Sequence, residues 1–204
     1  MRRVLLGENK VCGLTRGQDA AAALEAGAIY GGLIFVDGSP RTLSESQARD
    51  VMAAAPLSYV GVFRDAPVED VVAKAENLSL AAVQLHGSED QHYIDALRQA
   101  LPAQIQIWKA QSVSNTLPPR DLNHVDKYVL DNGQGGTGQR FDWSLLNGEK
   151  LDNVLLAGGL SPDNCVEAAK AGCAGLDFNS GVESQPGIKD ASKLASVFKT
   201  LRAY

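Results

Sequence analysis

The sequence predicts a single α/β domain closed as a (β/α)8 barrel, and three observations carry that expectation. Eight short β-branched or apolar runs alternate with helix-compatible stretches along the 204 residues. The runs are largely continuous in apolar character, as parallel strands buried on both faces should be. The repeat averages about 25 residues, room for one strand, one helix and two short loops. An open doubly wound sheet is the alternative, because alternation alone does not say whether the sheet closes.

The expected strands, in order, are 10–14 (KVCGL), 28–36 (AIYGGLIFV), 59–63 (YVGVF), 80–86 (LAAVQLH), 104–110 (QIQIWKA), 127–131 (KYVLD), 153–159 (NVLLAGG) and 174–180 (AGLDFNS). Helix starts are marked by capping-box spacing at Thr15 with Gln18, Ser44 with Gln47 and Ser88 with Gln91. Ser161 followed by Pro162 reads as an N-cap and first helical residue, and Gly27 and Gly172 stand where C-terminal caps belong. The stretches after strands five and six are poor helices. One, NTLPPRDLNH, holds two prolines, and the other, FDWSLLNG, is barely two turns.

Composition narrows the function classes. With 45% apolar and 21% charged residues the chain can build one sizeable core, and a net charge of -5 gives no general attraction to nucleic acid or anionic membranes. The most apolar window, 20–36, contains Glu25, Gly27 and the Gly31-Gly32 pair and changes period midway, so it is not read as a membrane span. No signal peptide is expected at the start. Cys12, Cys165 and Cys173 are odd in number and lack paired spacing, which suits a reducing cytoplasm and predicts neither disulfides nor a metal site.

The stretch VLDNGQGGTGQRFDW (129–143) places Gly133, Gly135 and Gly138 in the spacing of a dinucleotide-binding turn after an expected strand. Its context refuses that reading. Only about two turns separate Gly138 from the next strand, too little for the helix that would hold a pyrophosphate. A nucleoside-triphosphate loop fails too, because Gln139 stands where lysine is required.

In a closed barrel the carboxyl ends of the strands meet at one mouth, where barrel enzymes do their chemistry. That face would gather Cys12 after strand one, Arg41 after strand two, Gln84 and His86 at strand four, and Asp131 at strand six. Gly158 and Gly159 follow strand seven, and Asp177, Ser180 and Gly181 lie at strand eight. The glycines and Ser180 occupy the position where barrels often take a phosphate on backbone amides. Each residue also has a structural reading: a thiol as core filler, Asp131 and the glycines as turn chemistry, His86 as a bonded structural histidine and Arg41 as a loop charge.

Taken together, NKVCGLT, SPR, VGVF, AVQLHG, LDNGQGGTGQRFDW, LAGGL and DFNSGVESQPGIKD resemble phosphoribosylanthranilate isomerase across nearly the whole chain. The similarity is strongest to the isomerase half of enterobacterial fusions with indoleglycerol-phosphate synthase, and residues 1–9 look like a remnant of such a connection. The resemblance implies a cytoplasmic, metal-free and cofactor-free Amadori rearrangement of N-(5-phosphoribosyl)anthranilate in tryptophan biosynthesis. It implies Asp131 as general acid, Cys12 as general base and Arg41 as the grip on the anthranilate carboxylate. Gln84, His86, Gly136, Gly158, Gly159, Asp177, Ser180 and Gly181 would contact substrate, and the GQGGTG loop would act as a mobile cover. Another phosphate-binding sugar isomerase or epimerase barrel, or a non-catalytic phosphometabolite-binding module, are the competing readings. Three histidines are few for a metal-dependent epimerase.

Overall fold

A computed structural model describes residues 7–133 and 140–203. Strands β1 (Lys10–Val11), β2 (Tyr30–Ile34), β3 (Ser58–Phe63), β4 (Ala82–Leu85), β5 (Gln106–Ser112), β6 (Lys127–Asp131), β7 (Val154–Leu156) and β8 (Gly175–Phe178) form one closed parallel barrel in sequence order. Closure is made by β1 against β8, with Lys10 beside Asp177 and Val11 beside Phe178. The open-sheet alternative is thereby excluded, because every barrel strand has two strand neighbours.

Helices α1 (Gly17–Ala26), α2 (Glu45–Ala53), α3 (Val68–Asn77) and α4 (Gln91–Ala100) follow the first four strands, α5 (Cys165–Lys170) follows β7, and α6 (Ala191–Ala203) closes the chain. Between β5 and β6 the described chain has no helix, and after β6 only a 3-10 turn at Trp143–Leu146. The proline-rich and short segments could not sustain more. An antiparallel pair, β9 (Glu183–Gln185) with β10 (Ile188–Lys189), was not expected and adds a hairpin above β8.

The caps follow competition between nearby side chains. Ser44 and Gln47 form the expected reciprocal box, and Gly27 ends α1 in the left-handed region at φ 108°. Two expected boxes do not form. Thr15 donates instead to the Gly187 carbonyl, leaving Arg16 at the cap of α1, while Ser88 donates to Asp65 at 2.7 Å and Asp90 caps α4 through Tyr93 N–H. The Ser161 region caps one turn late, with Asn164 at the start of α5. Glu8 and Asn9, part of the stretch read as a connection, bond into the barrel floor: Glu8 N–H reaches Ala174 O at 2.9 Å, and Asn9 Oδ1 accepts from Leu176 N–H at 2.9 Å.

The largest core lies between strands and helices, from Val11 and Leu33 to Phe178, Phe198 and Leu201. Inside the barrel a second cluster of Val60, Ala82, Trp108, Val129 and Leu155 fills the centre, with Tyr30 edge-on to Trp108 at 4.9 Å. Above it Cys12, Ile34 and Val62 make an apolar collar directly under the mouth. This stack makes the barrel solid below and open above, so chemistry is confined to the carboxyl ends of the strands.

Candidate active site

The strand carboxyl ends line two adjoining cavities of about 110 and 360 Å³ that share Ile34, Val62, His86 and Asn179. The smaller one brings together Cys12, Gln84, His86, Asp131, Gly158, Gly159, Asp177, Ser180 and Gly181. The larger is walled by the loop after β2, including Arg41, with Arg64 from the end of β3. Of the GQGGTG loop (133–138) expected as the cover, Gly136 and the rest of 134–138 lie outside the described residues.

Cys12 follows β1, its N–H held by Phe178 O at 2.8 Å and the residue 6% exposed. Burial pushes the thiol above its ordinary value, while the nearby charge of Lys10 pulls the other way. Lys10 is two residues back on the same strand face. Its ammonium, wholly buried, donates to Gln84 Oε1 at 2.9 Å and Asp177 Oδ2 at 2.8 Å. Burial works to discharge it, but Asp177 and Cys12 hold it above the ordinary lysine range.

Opposite, Asp131 ends β6, its Oδ1 accepting from Gly133 N–H at 2.8 Å and its Oδ2 lying 3.1 Å from His86 Nε2. The direction of this contact can be traced from Lys10. Because Gln84 Oε1 is taken by the ammonium, Gln84 Nε2 donates to His86 Nδ1 at 3.2 Å. That leaves the proton of a neutral imidazole on Nε2, where it donates to Asp131. A single chain of hydrogen bonds therefore runs from beside the thiol to the carboxylate across the barrel.

The loops after β7 and β8 approach closely at Gly181, where an added Cβ would lie 1.9 Å from Leu160 O. Only glycine permits that approach. Gly158 and Gly159 both have positive φ, at 84° and 67°, and Ser180 opens a 3-10 turn facing the same cavity. Glycine at 158, 159 and 181 leaves the main chain of this wall uncovered by side chains.

Arg41 differs from expectation in what occupies its guanidinium fork. Nε and one terminal nitrogen are paired with both oxygens of Glu183, at 2.8 and 2.7 Å, leaving Nη1 as the edge available to a ligand. Glu183 also takes Lys189 Nζ at 2.8 Å; burial would raise its carboxyl, but the two cations hold it below the ordinary value. Lys10, Glu183 and Lys189 were not singled out from sequence. Lys10 carried a signal, a charge inside an apolar strand two places before Cys12, which requires a buried partner. Glu183 and Lys189 act through an unanticipated hairpin.

A family model described as N-(5'phosphoribosyl)anthranilate (PRA) isomerase matches residues 9–200. Proteins named tryptophan biosynthesis protein TrpCF from Salmonella typhi and Yersinia pestis are 74% and 68% identical over the full 204 residues. The chain spans 45% and 43% of their lengths, less than half of each. A crystal structure of phosphoribosyl anthranilate isomerase from Thermus thermophilus superposes with a TM-score of 0.85 at 34% identity, covering 96% of this chain and 98% of that one. A second isomerase structure, in complex with reduced 1-(o-carboxyphenylamino)-1-deoxyribulose 5-phosphate, gives 0.81 at 30% identity, covering 97% of this chain and all of that one. The chain belongs to the N-(5'-phosphoribosyl)anthranilate isomerase family.

Proposed function

We propose that this chain catalyses the isomerisation of N-(5-phosphoribosyl)anthranilate to 1-(2-carboxyphenylamino)-1-deoxyribulose 5-phosphate, an aldose-to-ketose step of tryptophan biosynthesis. The observation that carries the reading is the placement of Cys12 and Asp131 on one cavity with Gly158, Gly159, Ser180 and Gly181. Asp131 gives a proton to the furanose ring oxygen as the C1–O bond breaks, and the ring opens to an iminium ion. His86, 3.1 Å away, orients the Asp131 carboxyl toward the cavity. The Cys12 thiolate then takes the C2 proton, giving an enolamine that becomes the ketone when C1 is protonated. Gly158, Gly159, Ser180 and Gly181 hold the phosphate, Gln84 and Asp177 contact the sugar, and Arg41 offers its remaining edge to the anthranilate carboxylate.

Residues 1–204 act as one isomerase unit in this reading. In the natural chain the unit is joined to an indoleglycerol-phosphate synthase domain, as the longer relatives suggest. Among the described residues no helix is long and apolar enough to cross a membrane. The proposed setting is the cytoplasm. The test is continuous fluorescence of phosphoribosylanthranilate consumption, with and without excess EDTA. Equal turnover in both supports the metal-free mechanism; loss in EDTA restored by a divalent ion contradicts it, and no turnover in either contradicts the function.

A further inference from the structure

A lysine ammonium sealed inside a barrel is costly, and hydrophobic replacement of buried ion pairs is often neutral or stabilising. The cluster beneath the mouth already packs with Val60, Ala82, Trp108 and Val129, so core filling does not explain Lys10. Its surroundings do. Lys10 does not border the cavity, yet its ammonium donates to two residues that do, Gln84 and Asp177, and its side chain lies beside a third, Cys12, two places along the same strand. Gly32 makes room for this arrangement on the neighbouring strand. A Cβ there would lie 2.7 Å from Cys12 Sγ and 3.0 Å from Lys10 Cε.

We propose that Lys10 is a positioning residue that stabilises and orients the Cys12 thiolate from below the cavity floor, dividing its charge between that sulfur and the Asp177 carboxylate. The proposal deepens the isomerase reading and rests on it for the role of Cys12. With Cys12 as a thiol, Lys10 and Asp177 form a neutral buried pair. When the thiol loses its proton, the ammonium answers two anions. Asp177 lines the cavity, and its Oδ1 is buried and without a partner among the described residues. A sugar hydroxyl donating to Oδ1 draws the carboxylate charge away from Lys10 and leaves more of the ammonium for the sulfur. Substrate arrival is in this way coupled to activation of the base.

The other charged groups around the thiol are Lys189 of the hairpin, whose charge also lowers its proton affinity, Arg41, and the His86 and Asp131 pair across the cavity. The test isolates Lys10 from these. Iodoacetamide alkylation of Cys12 in ligand-free protein is followed against pH at the peptide level by mass spectrometry, so Cys165 and Cys173 do not interfere. Lys10→Met should move the alkylation midpoint up by about one pH unit or more, and Asp177→Asn should move it down. Should the unpaired carboxylate in Lys10→Met prevent folding, Lys10→Met/Asp177→Asn measured against Asp177→Asn isolates the same ammonium and should again shift upward. A folded Lys10 variant with an unmoved midpoint, or an unmoved or raised midpoint in Asp177→Asn, overturns the proposal. Turnover is not part of the readout. Shifts as expected in a protein without isomerase activity would fault the functional reading and leave the role of Lys10 standing.

Discussion

Gly181→Ala probes the anion site through backbone geometry alone. The added Cβ would meet Leu160 O at 1.9 Å and Leu160 C at 2.8 Å, both main-chain atoms with no rotamer to yield. Non-bonded contacts of this kind settle at about 3.3 Å or more, so the loops after β7 and β8 must separate by more than an ångström. Binding geometry tolerates about 0.5 Å. One to two charge-assisted hydrogen bonds to phosphate should be lost or lengthened, each worth about 1.5–3 kcal/mol. KM for phosphoribosylanthranilate should therefore rise at least about tenfold, since 1.4 kcal/mol is a decade of affinity. The inhibition constant of inorganic phosphate should rise in parallel. Gly172→Ala is the control: its φ of 81° makes alanine strained, but nothing lies within 4 Å and it sits after α5, away from the mouth. It should cost stability and leave KM alone. A folded Gly181→Ala enzyme with KM and phosphate inhibition both within twofold of wild type would refute the phosphate assignment.

Arg41→Ala should raise KM by tenfold or more, for about 1.5–3 kcal/mol of a charge-assisted contact, and should also lower Tm because Glu183 loses its bidentate partner. A lowered Tm with unchanged KM would make Arg41 a purely structural ion pair. Because burial holds Cys12 mainly in the thiol form, kcat/KM should climb with pH across the neutral and mildly alkaline range as the thiolate fraction grows. A profile that is flat there would deny Cys12 the role of base. Cys173 is pushed by burial from 9.0 up to about 12. Below pH 9 folded and unfolded chains both keep that proton; above it only the unfolded chain releases it, so stability falls as pH rises from 9 toward 12. Cys173→Ala should flatten that fall in denaturant midpoints, and an unchanged slope would assign it elsewhere.

The sequence made the barrel legible because buried parallel strands must be apolar on both faces, and that signature survives without any tertiary information. Strand ends were less legible. The first strand was expected over 10–14 but stops at Val11, because Gly13 turns the chain at φ 68° toward the mouth. Caps were legible where one acceptor had no rival, as at Ser44, and misread where a better-placed neighbour took over, as Asp90 did from Ser88. Cys12, Gln84, His86, Asp131 and Asp177 could be placed at one mouth because each lies at or beside the carboxyl end of a strand. Their wiring could not. The path from Lys10 through Gln84 and His86 to Asp131 joins strands far apart in the chain, and only their closure into a ring brings those side chains within bonding distance. The hold of Glu183 on Arg41 spans 142 positions and depends on a hairpin with no strong local signal.

The central claim, that Cys12 and Asp131 move protons and do not merely bind, is tested most directly by separating turnover from affinity in Cys12→Ser and Asp131→Asn. Serine keeps the size of the thiol but is almost never ionised near neutrality, and asparagine keeps the shape of the carboxyl without a proton to give. Steady-state turnover is compared with the affinity for a stable reduced product analogue, measured by calorimetry on the same folded preparations. The account predicts that both variants lose most of their kcat while analogue affinity stays within about tenfold, or 1.4 kcal/mol. Near-normal turnover in Cys12→Ser, or loss of analogue binding in step with turnover, would contradict it.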